Sequence, residues 1–230
     1  MSKLQFPIFF ESMLWEGGTI HNFDLHLNRI QSITKRFGLK PILFDADDIR
    51  QNAIKKMQEL NLSTAKLRLS LEVQDTTLSI KSLEVITIDS NQNEPRSIQL
   101  VTFPVPKDSE NPFSNFKTEN SLLYKDSIEY ALSKDTTQAL IVNERSEVVE
   151  TSICNIYFVK DKIIYTPSLH SGCINGVMRK KLIKEKNIVE RTILLSEISN
   201  YDAAFASNAL RGIIPIIRID EIGYNIDVKI

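Results

Sequence analysis

Leu67, Leu69, Leu71 and Val73 alternate with Arg68, Ser70 and Glu72, a period of two that predicts a strand with one buried face. Upstream the period lengthens. Leu25, Ile30, Ile33 and Phe37 recur at roughly helical spacing behind Asp24, which stands where an N-cap would, and Gly38 closes the run. Ile49, Ala53, Met57 and Leu60 predict a second helix, starting at Asp47 or Asp48 and ending at Asn61. Residues 6–11 read as a strand entering a turn at Gly17-Gly18, and 78–88 and 97–103 as further strands. Two helices against a mainly antiparallel sheet predict a small N-terminal α/β domain over residues 1–103.

Residues 104–116, Pro-Val-Pro-Lys-Asp-Ser-Glu-Asn-Pro-Phe-Ser-Asn-Phe, are rich in Pro, Asn and Ser and predict an interdomain linker. Leu122, Ile128, Ala131 and Leu132 then suggest a helix, 139–143 a strand and 143–146 a turn. Residues 153–159 and 163–165 form a predicted hairpin around Asp161-Lys162. A helix starts near Gly176, and strands follow at 188–194, 203–206 and 213–219. The fold class is therefore α/β (α+β), with a larger C-terminal mixed β domain over 117–230.

Composition narrows the functional classes. Lys plus Arg number 28 against 29 Asp plus Glu, which argues against a dedicated nucleic-acid binder. The two cysteines, Cys154 and Cys173, are too few for a disulfide scaffold and lack the C-x-x-C spacing of a zinc site, so no metal is expected. No stretch approaches the ~20 apolar residues of a membrane span, and the N-terminus lacks a signal-peptide core. A cytoplasmic protein is the expectation.

Four places carry candidate chemistry. Asn175-Gly176-Val177-Met178-Arg179 opens a helix, whose first N–H groups and positive dipole end suit a phosphate. Ser207-Asn208-Ala209-Leu210-Arg211-Gly212 is a small polar turn between apolar strands, able to cradle an anion. Glu150 lies at the end of a strand hairpin, where a carboxylate can pair with a protonated pyridine nitrogen. Lys117 follows the linker, where desolvation would free its amine as a nucleophile for a carbonyl. Taken singly, each has an ordinary structural explanation: a helix start, a connecting turn, a solvated acid, one lysine among many.

Their order carries more. Lys117-x-x-Asn120, Glu150-Thr151-Ser152-Ile153-Cys154-Asn155-Ile156-Tyr157-Phe158, Tyr165-Thr166-Pro167, Gly176-Val177-Met178-Arg179 and Ser207-Asn208-Ala209-Leu210-Arg211-Gly212-Ile213-Ile214-Pro215-Ile216 follow one another along the chain. Phe10-Glu11-Ser12-Met13 and His26-Leu27-Asn28-Arg29-Ile30 precede them. This series, over about residues 9–217, resembles the class IV aminotransferase family of fold-type-IV pyridoxal-phosphate enzymes. Branched-chain and D-amino-acid aminotransferases and aminodeoxychorismate lyase belong to it.

The resemblance implies a two-domain D-amino-acid-aminotransferase-like fold, a pyridoxal 5′-phosphate cofactor and a homodimer. It assigns Lys117 as the amine that condenses with the cofactor aldehyde and later moves protons, and Glu150 as the acid facing the ring nitrogen. Arg29, the N–H groups of Val177 and Met178, and Ser207, Asn208 and Ala209 would hold the phosphate, with Asn155 also in the cofactor site. Arg68 and Arg211 are candidates for a substrate carboxylate.

The 207–216 string and Lys117-x-x-Asn120 lie closer to the lyase branch than to the branched-chain enzymes. The resemblance thus points first to a small amino substrate, 4-amino-4-deoxychorismate, split into pyruvate and 4-aminobenzoate for folate synthesis. An aminotransferase of branched-chain or D-amino acids is the alternative, and a non-catalytic cofactor-binding homologue a third. Two departures bear on the choice. The leading strand and Gly-Asp turn before Phe10-Glu11 are short or degenerate, and Ser121 replaces the Tyr or Arg usual after the Asn.

Overall fold

The computed structural model describes residues 5–40, 45–88, 96–119 and 121–226; Asn120 of the Lys117-x-x-Asn120 motif lies outside them. The chain divides into two compact units, residues 1–93 with 116–119, and 94–115 with 120–230.

The first unit is built on an antiparallel sheet. Its strands are β1 (Phe9–Glu16), β2 (Thr19–Ile20), β3 (Thr64–Gln74) and β4 (Thr77–Thr87), in the order β2-β1-β3-β4. The alternation in β3 is realised: Leu67, Leu69 and Leu71 are fully buried, whereas Arg68 faces the other way. Helix α1 (Phe23–Phe37) is preceded by Asn22 and ended by Gly38, both left-handed, and the Gly38 N–H donates to the Thr34 carbonyl. Its buried stripe is Phe23, His26, Arg29, Ile30 and Ile33, so two basic side chains occupy the apolar face. Helix α2 (Ala46–Glu59) starts one or two residues before the sequence expectation, because the Asp45 carboxylate accepts the Asp47 N–H as N-cap. Ile49, Ala53 and Met57 form its buried face, and Leu60 is exposed beyond its end.

The second unit holds a nine-stranded sheet. Its strands are β5 (Ile98–Thr102), β6 (Gln138–Val142), β7 (Val148–Thr151), β8 (Asn155–Lys160), β9 (Ile163–Pro167), β10 (Ile188–Arg191), β11 (Ala203–Asn208), β12 (Gly212–Ile219) and β13 (Ile222–Gly223). The order is β10-β9-β8-β11-β12-β5-β6-β7, with β13 beside β12. β5 runs parallel to both β12 and β6, and Asp220 accepts bonds from the Thr102 N–H (2.8 Å) and hydroxyl (2.6 Å). Helices α3 (Leu122–Ser133) and α4 (Val177–Glu185) complete the unit. The predicted apolar face of α3 is corrected: Ser127 and Ala131 are its buried positions, and Leu122 and Leu132 are exposed.

Both faces of this sheet are covered, which explains the near-continuous burial of β8. Ile156 and Phe158 of β8 join Ala204, Ala206, Ile214 and Ile216 in one core. Tyr157 and Val159 join Phe205 and Leu182 in another, on the side of α4. There the Tyr157 and Phe205 rings, cross-strand partners, stack with centroids 4.5 Å apart. Such a pair contributes ~1 kcal/mol beyond its burial. The Asp161-Lys162 turn joining β8 and β9 places both residues at positive φ, as the predicted two-residue hairpin requires.

Candidate active site

Four of the predicted site residues meet in the second unit, and Asn155 links them. This first residue of β8 pairs in register with Ser207 of β11. Its Nδ2 donates to the Ile174 carbonyl at 2.8 Å and lies 3.5 Å from Glu150 Oε2. Its Oδ1 sits 2.0 Å from the point a Cβ on Gly176 would occupy, so only glycine fits there. Gly176 is the N-cap of α4 and has no side chain with which to cap the helix start, where Val177 and Met178 form the first turn. One asparagine thus fixes the acid, the strand and the helix start together.

Ser207 is buried, and its hydroxyl lies 3.0 Å from that of Tyr157. Burial pushes the Tyr157 phenol up, which keeps it protonated and able to donate. Asn208 is turned to a structural task. Its Oδ1 accepts the N–H groups of Leu210 (3.0 Å) and Arg211 (2.9 Å), and its Nδ2 lies 3.3 Å from the Cys154 sulfur. Ala209 lies in the turn so formed. Burial raises the Cys154 thiol and pushes that of Cys173 up to about 12, which keeps both neutral.

Glu150 is buried and bonded on both oxygens. Oε2 accepts the Ile174 N–H at 3.1 Å; Oε1 accepts the Lys107 ammonium at 2.9 Å and the Tyr124 hydroxyl at 2.5 Å. Burial and the adjacent Glu150 charge hold the Tyr124 phenol well above its usual range, so it remains a donor. Lys107 escaped the sequence reading. Its segment continues past β5 alongside β6, with the Phe103 N–H on the Leu140 carbonyl and the Lys107 N–H on that of Val142, both 2.8 Å. Nearby, Asn115 Nδ2 ties down the Leu169 (2.9 Å) and Cys173 (2.8 Å) carbonyls, which shapes the loop leading to α4. Arg179 of the Gly176-Val177-Met178-Arg179 motif is a tie as well, bonding the Pro167 carbonyl (3.0 Å) and Glu190 (2.7 Å).

Lys117, Arg29 and Arg68 belong to the first unit. The Lys117 carbonyl accepts the Phe10 N–H, the Glu119 N–H donates to the Ile8 carbonyl, and Thr118 bridges Phe9, so this short segment lies along β1. The Lys117 amine lies 4.5 Å from the Phe10 ring centroid, and the Arg68 guanidinium lies 4.0 Å from the same ring. Arg68 also pairs with Glu119 (3.0 Å), to which Ser70 donates at 2.8 Å. Burial would raise the Glu119 carboxyl, but these bonds from Ser70 and Arg68 hold it below its ordinary value.

The next residue of β1, Glu11, points to the opposite face. It is buried with His26 and Arg29: Arg29 Nε donates to Oε1 at 2.7 Å, Nη2 bonds Oε2, and His26 Nδ1 lies 2.6 Å from Oε2. Burial alone would raise this carboxyl; the Arg29 charge, aided by the His26 and Arg29 bonds, outweighs it and brings it to about 2. Arg29 Nη1 takes no part in the pair.

Chemically, the second unit joins a buried carboxylate, suited to a cationic heterocycle, to a helix start and a buried hydroxyl, suited to an anion. Among the described residues no cluster of His, Cys, Asp and Glu could hold a metal, and no helix is long and apolar enough to cross a membrane.

The probable branched-chain-amino-acid aminotransferase of Thermotoga maritima is 29% identical over 92 residues, 38% of this chain and 34% of that protein. The aminodeoxychorismate lyase of Bacillus subtilis is 29% identical over 92 residues, 38% of this chain and 31% of that protein. These matches span about a third of the curated relatives' own length. The fold is that of a putative 4-amino-4-deoxychorismate lyase from Legionella pneumophila, with a TM-score of 0.86 at 20% identity, over 96% of this chain and 86% of that one. The family model for amino-transferase class IV matches residues 8–219, and the chain belongs to that pyridoxal-phosphate-dependent family.

Proposed function

We propose that this chain is a pyridoxal-phosphate enzyme of the lyase branch, which splits 4-amino-4-deoxychorismate into pyruvate and 4-aminobenzoate. The observation that carries the cofactor reading is the buried Glu150 carboxylate, held by Asn155 and Ile174 beside the glycine-capped start of α4. That donor set fits the group: an acid for a ring nitrogen, and N–H groups with a hydroxyl for a phosphate. When bound, the cofactor supplies an electron sink for substrate bonds next to the amine.

In this reading Lys117 would supply the amine for the cofactor aldehyde and would hold or move protons at the substrate. Val177, Met178 and Ala209 would hold the phosphate through backbone N–H groups, Ser207 through its hydroxyl, and Arg29 through its guanidinium. Asn208 shapes the turn that presents them. Arg68 and Arg211 are proposed to meet the substrate carboxylate. In the lyase reaction, aromatisation of the departing ring supplies much of the driving force, so the protein chiefly orients the substrate and moves protons. The proposal carries with it a homodimer, testable by solution mass. It also carries a cytoplasmic site of action, supported by two buried, unpaired thiols.

The lyase is supported by the 207–216 string. The rival reading, an aminotransferase, is supported by relatives of that activity at the same identity. Purified protein should be yellow, with its visible band abolished in Lys117→Ala; a colourless protein that cannot be reconstituted with the cofactor contradicts the reading. 4-Aminobenzoate with pyruvate marks the lyase, and a new amino acid formed from a supplied keto acid marks the aminotransferase.

A further inference from the structure

An ionised carboxylate offers about four lone-pair sites, and those of Glu150 face four donors. Lys107 Nζ (2.9 Å) and the Tyr124 hydroxyl (2.5 Å) reach Oε1, and the Ile174 N–H (3.1 Å) and Asn155 Nδ2 (3.5 Å) reach Oε2. Lys107 is equally committed. Its three protons face Glu150, the Tyr124 hydroxyl and the Ser114 carbonyl (3.1 Å), and its side chain is only 8% exposed. A buried ion pair with every donor and acceptor engaged is a complete arrangement: the acid already has its cation.

We propose that Lys107 is the resident counter-cation of Glu150, and that a protonated ring nitrogen and the Lys107 ammonium compete for that one carboxylate. The inference rests on the cofactor reading above and adds a positioning residue to it. Two positive groups on one buried carboxylate leave a net positive charge out of water, which is costly. A ring nitrogen approaching Glu150 therefore displaces Lys107, and the gain from the new pair is offset by loss of the old one. A ring lacking that nitrogen leaves the Lys107 pair in place. Lys107 thus weakens the preference of the site for a basic ring while leaving the phosphate contacts untouched.

The test is a two-by-two titration. Wild type and Lys107→Met, each freed of cofactor, are titrated with pyridoxal phosphate and with the analogue whose ring nitrogen is replaced by C–H. Wild type should bind the two within about threefold of each other. In Lys107→Met the preference for pyridoxal phosphate should rise to about tenfold or more, because the stranded carboxylate regains a cation only from the nitrogen-bearing ring. Lys107→Arg, which keeps the charge, should restore the wild-type ratio. An unchanged ratio in Lys107→Met, or a falling one, overturns the proposal. If that variant does not fold, the wild-type ratio decides alone: near unity supports competition, and a tenfold preference for pyridoxal phosphate overturns it. Failure of both compounds to bind either protein removes the underlying cofactor reading, an outcome distinct from binding without discrimination.

Discussion

The amide oxygen of Asn155 occupies the space beside the Gly176 α-carbon, 2.0 Å from where a Cβ would stand. The contact is between a strand start and a helix start, so neither can move alone. Gly176→Ala should therefore cost about 1–3 kcal/mol by overpacking. It should also weaken cofactor binding about tenfold or more, as α4 is displaced from the Glu150 side. Adding Asn155→Ala should return part of the stability, a non-additivity that thermal melts of the two single variants and the double variant would reveal.

Tyr157 holds Ser207 through one hydroxyl in an otherwise apolar layer. Tyr157→Phe retains the ring stack on Phe205 and removes that bond. Stability should change by about 1 kcal/mol or less. Pyridoxal-phosphate affinity, read by absorbance titration, should fall about three- to tenfold, since the Ser207 hydroxyl is no longer oriented.

The Glu11 network sets an acid limit on the first unit. Its carboxyl ionises at about 2 in the folded chain against an ordinary 4.5, so its stabilisation is complete above 4.5 and is lost as pH falls towards 2. The full difference is worth ~3 kcal/mol by linkage. Melting temperature should drop across that window in the wild type. Glu11→Gln should start lower, having stranded Arg29, and show a shallower acid decline.

Arg68 and Arg211 can be separated from the cofactor machinery. Arg68→Ala uncovers Phe10 and frees Glu119, and should raise KM for the amino substrate about tenfold with cofactor affinity unchanged. Arg211→Ala should act in the same direction. Unaltered kinetics in both variants would end their proposed role with the carboxylate.

What the sequence disclosed is what local rules encode. The β3 alternation, the Gly38 stop and the Asp161-Lys162 hairpin are readable because each depends on neighbours a few residues away. The Gly176 helix start was legible too, although the reason for its glycine was not, since Asn155 lies on another strand. Pairings across long separations stayed hidden. Lys107 meets Glu150 over 43 residues, and its Pro- and Ser-rich surroundings read as connection rather than as a buried site. Arg29 was found as a candidate, yet its engagement with Glu11 and His26 was invisible, because charged residues on a helix stripe ordinarily signal a solvated edge. Leu122 and Leu132 misled in the opposite sense, apolar residues left exposed on α3.

The position of β5 has a consequence for biosynthesis. This strand emerges early, but one of its two flanking neighbours, β12, is encoded more than a hundred residues later, as is Asp220, which fastens Thr102. While the ribosome is still translating the intervening segment, one long side of β5 has no mate, and an unpaired apolar strand invites pairing with other nascent chains. A ribosome that stalls before Gly212 would release such a half-built sheet, which makes synthesis of β12 the step that closes the open side of β5.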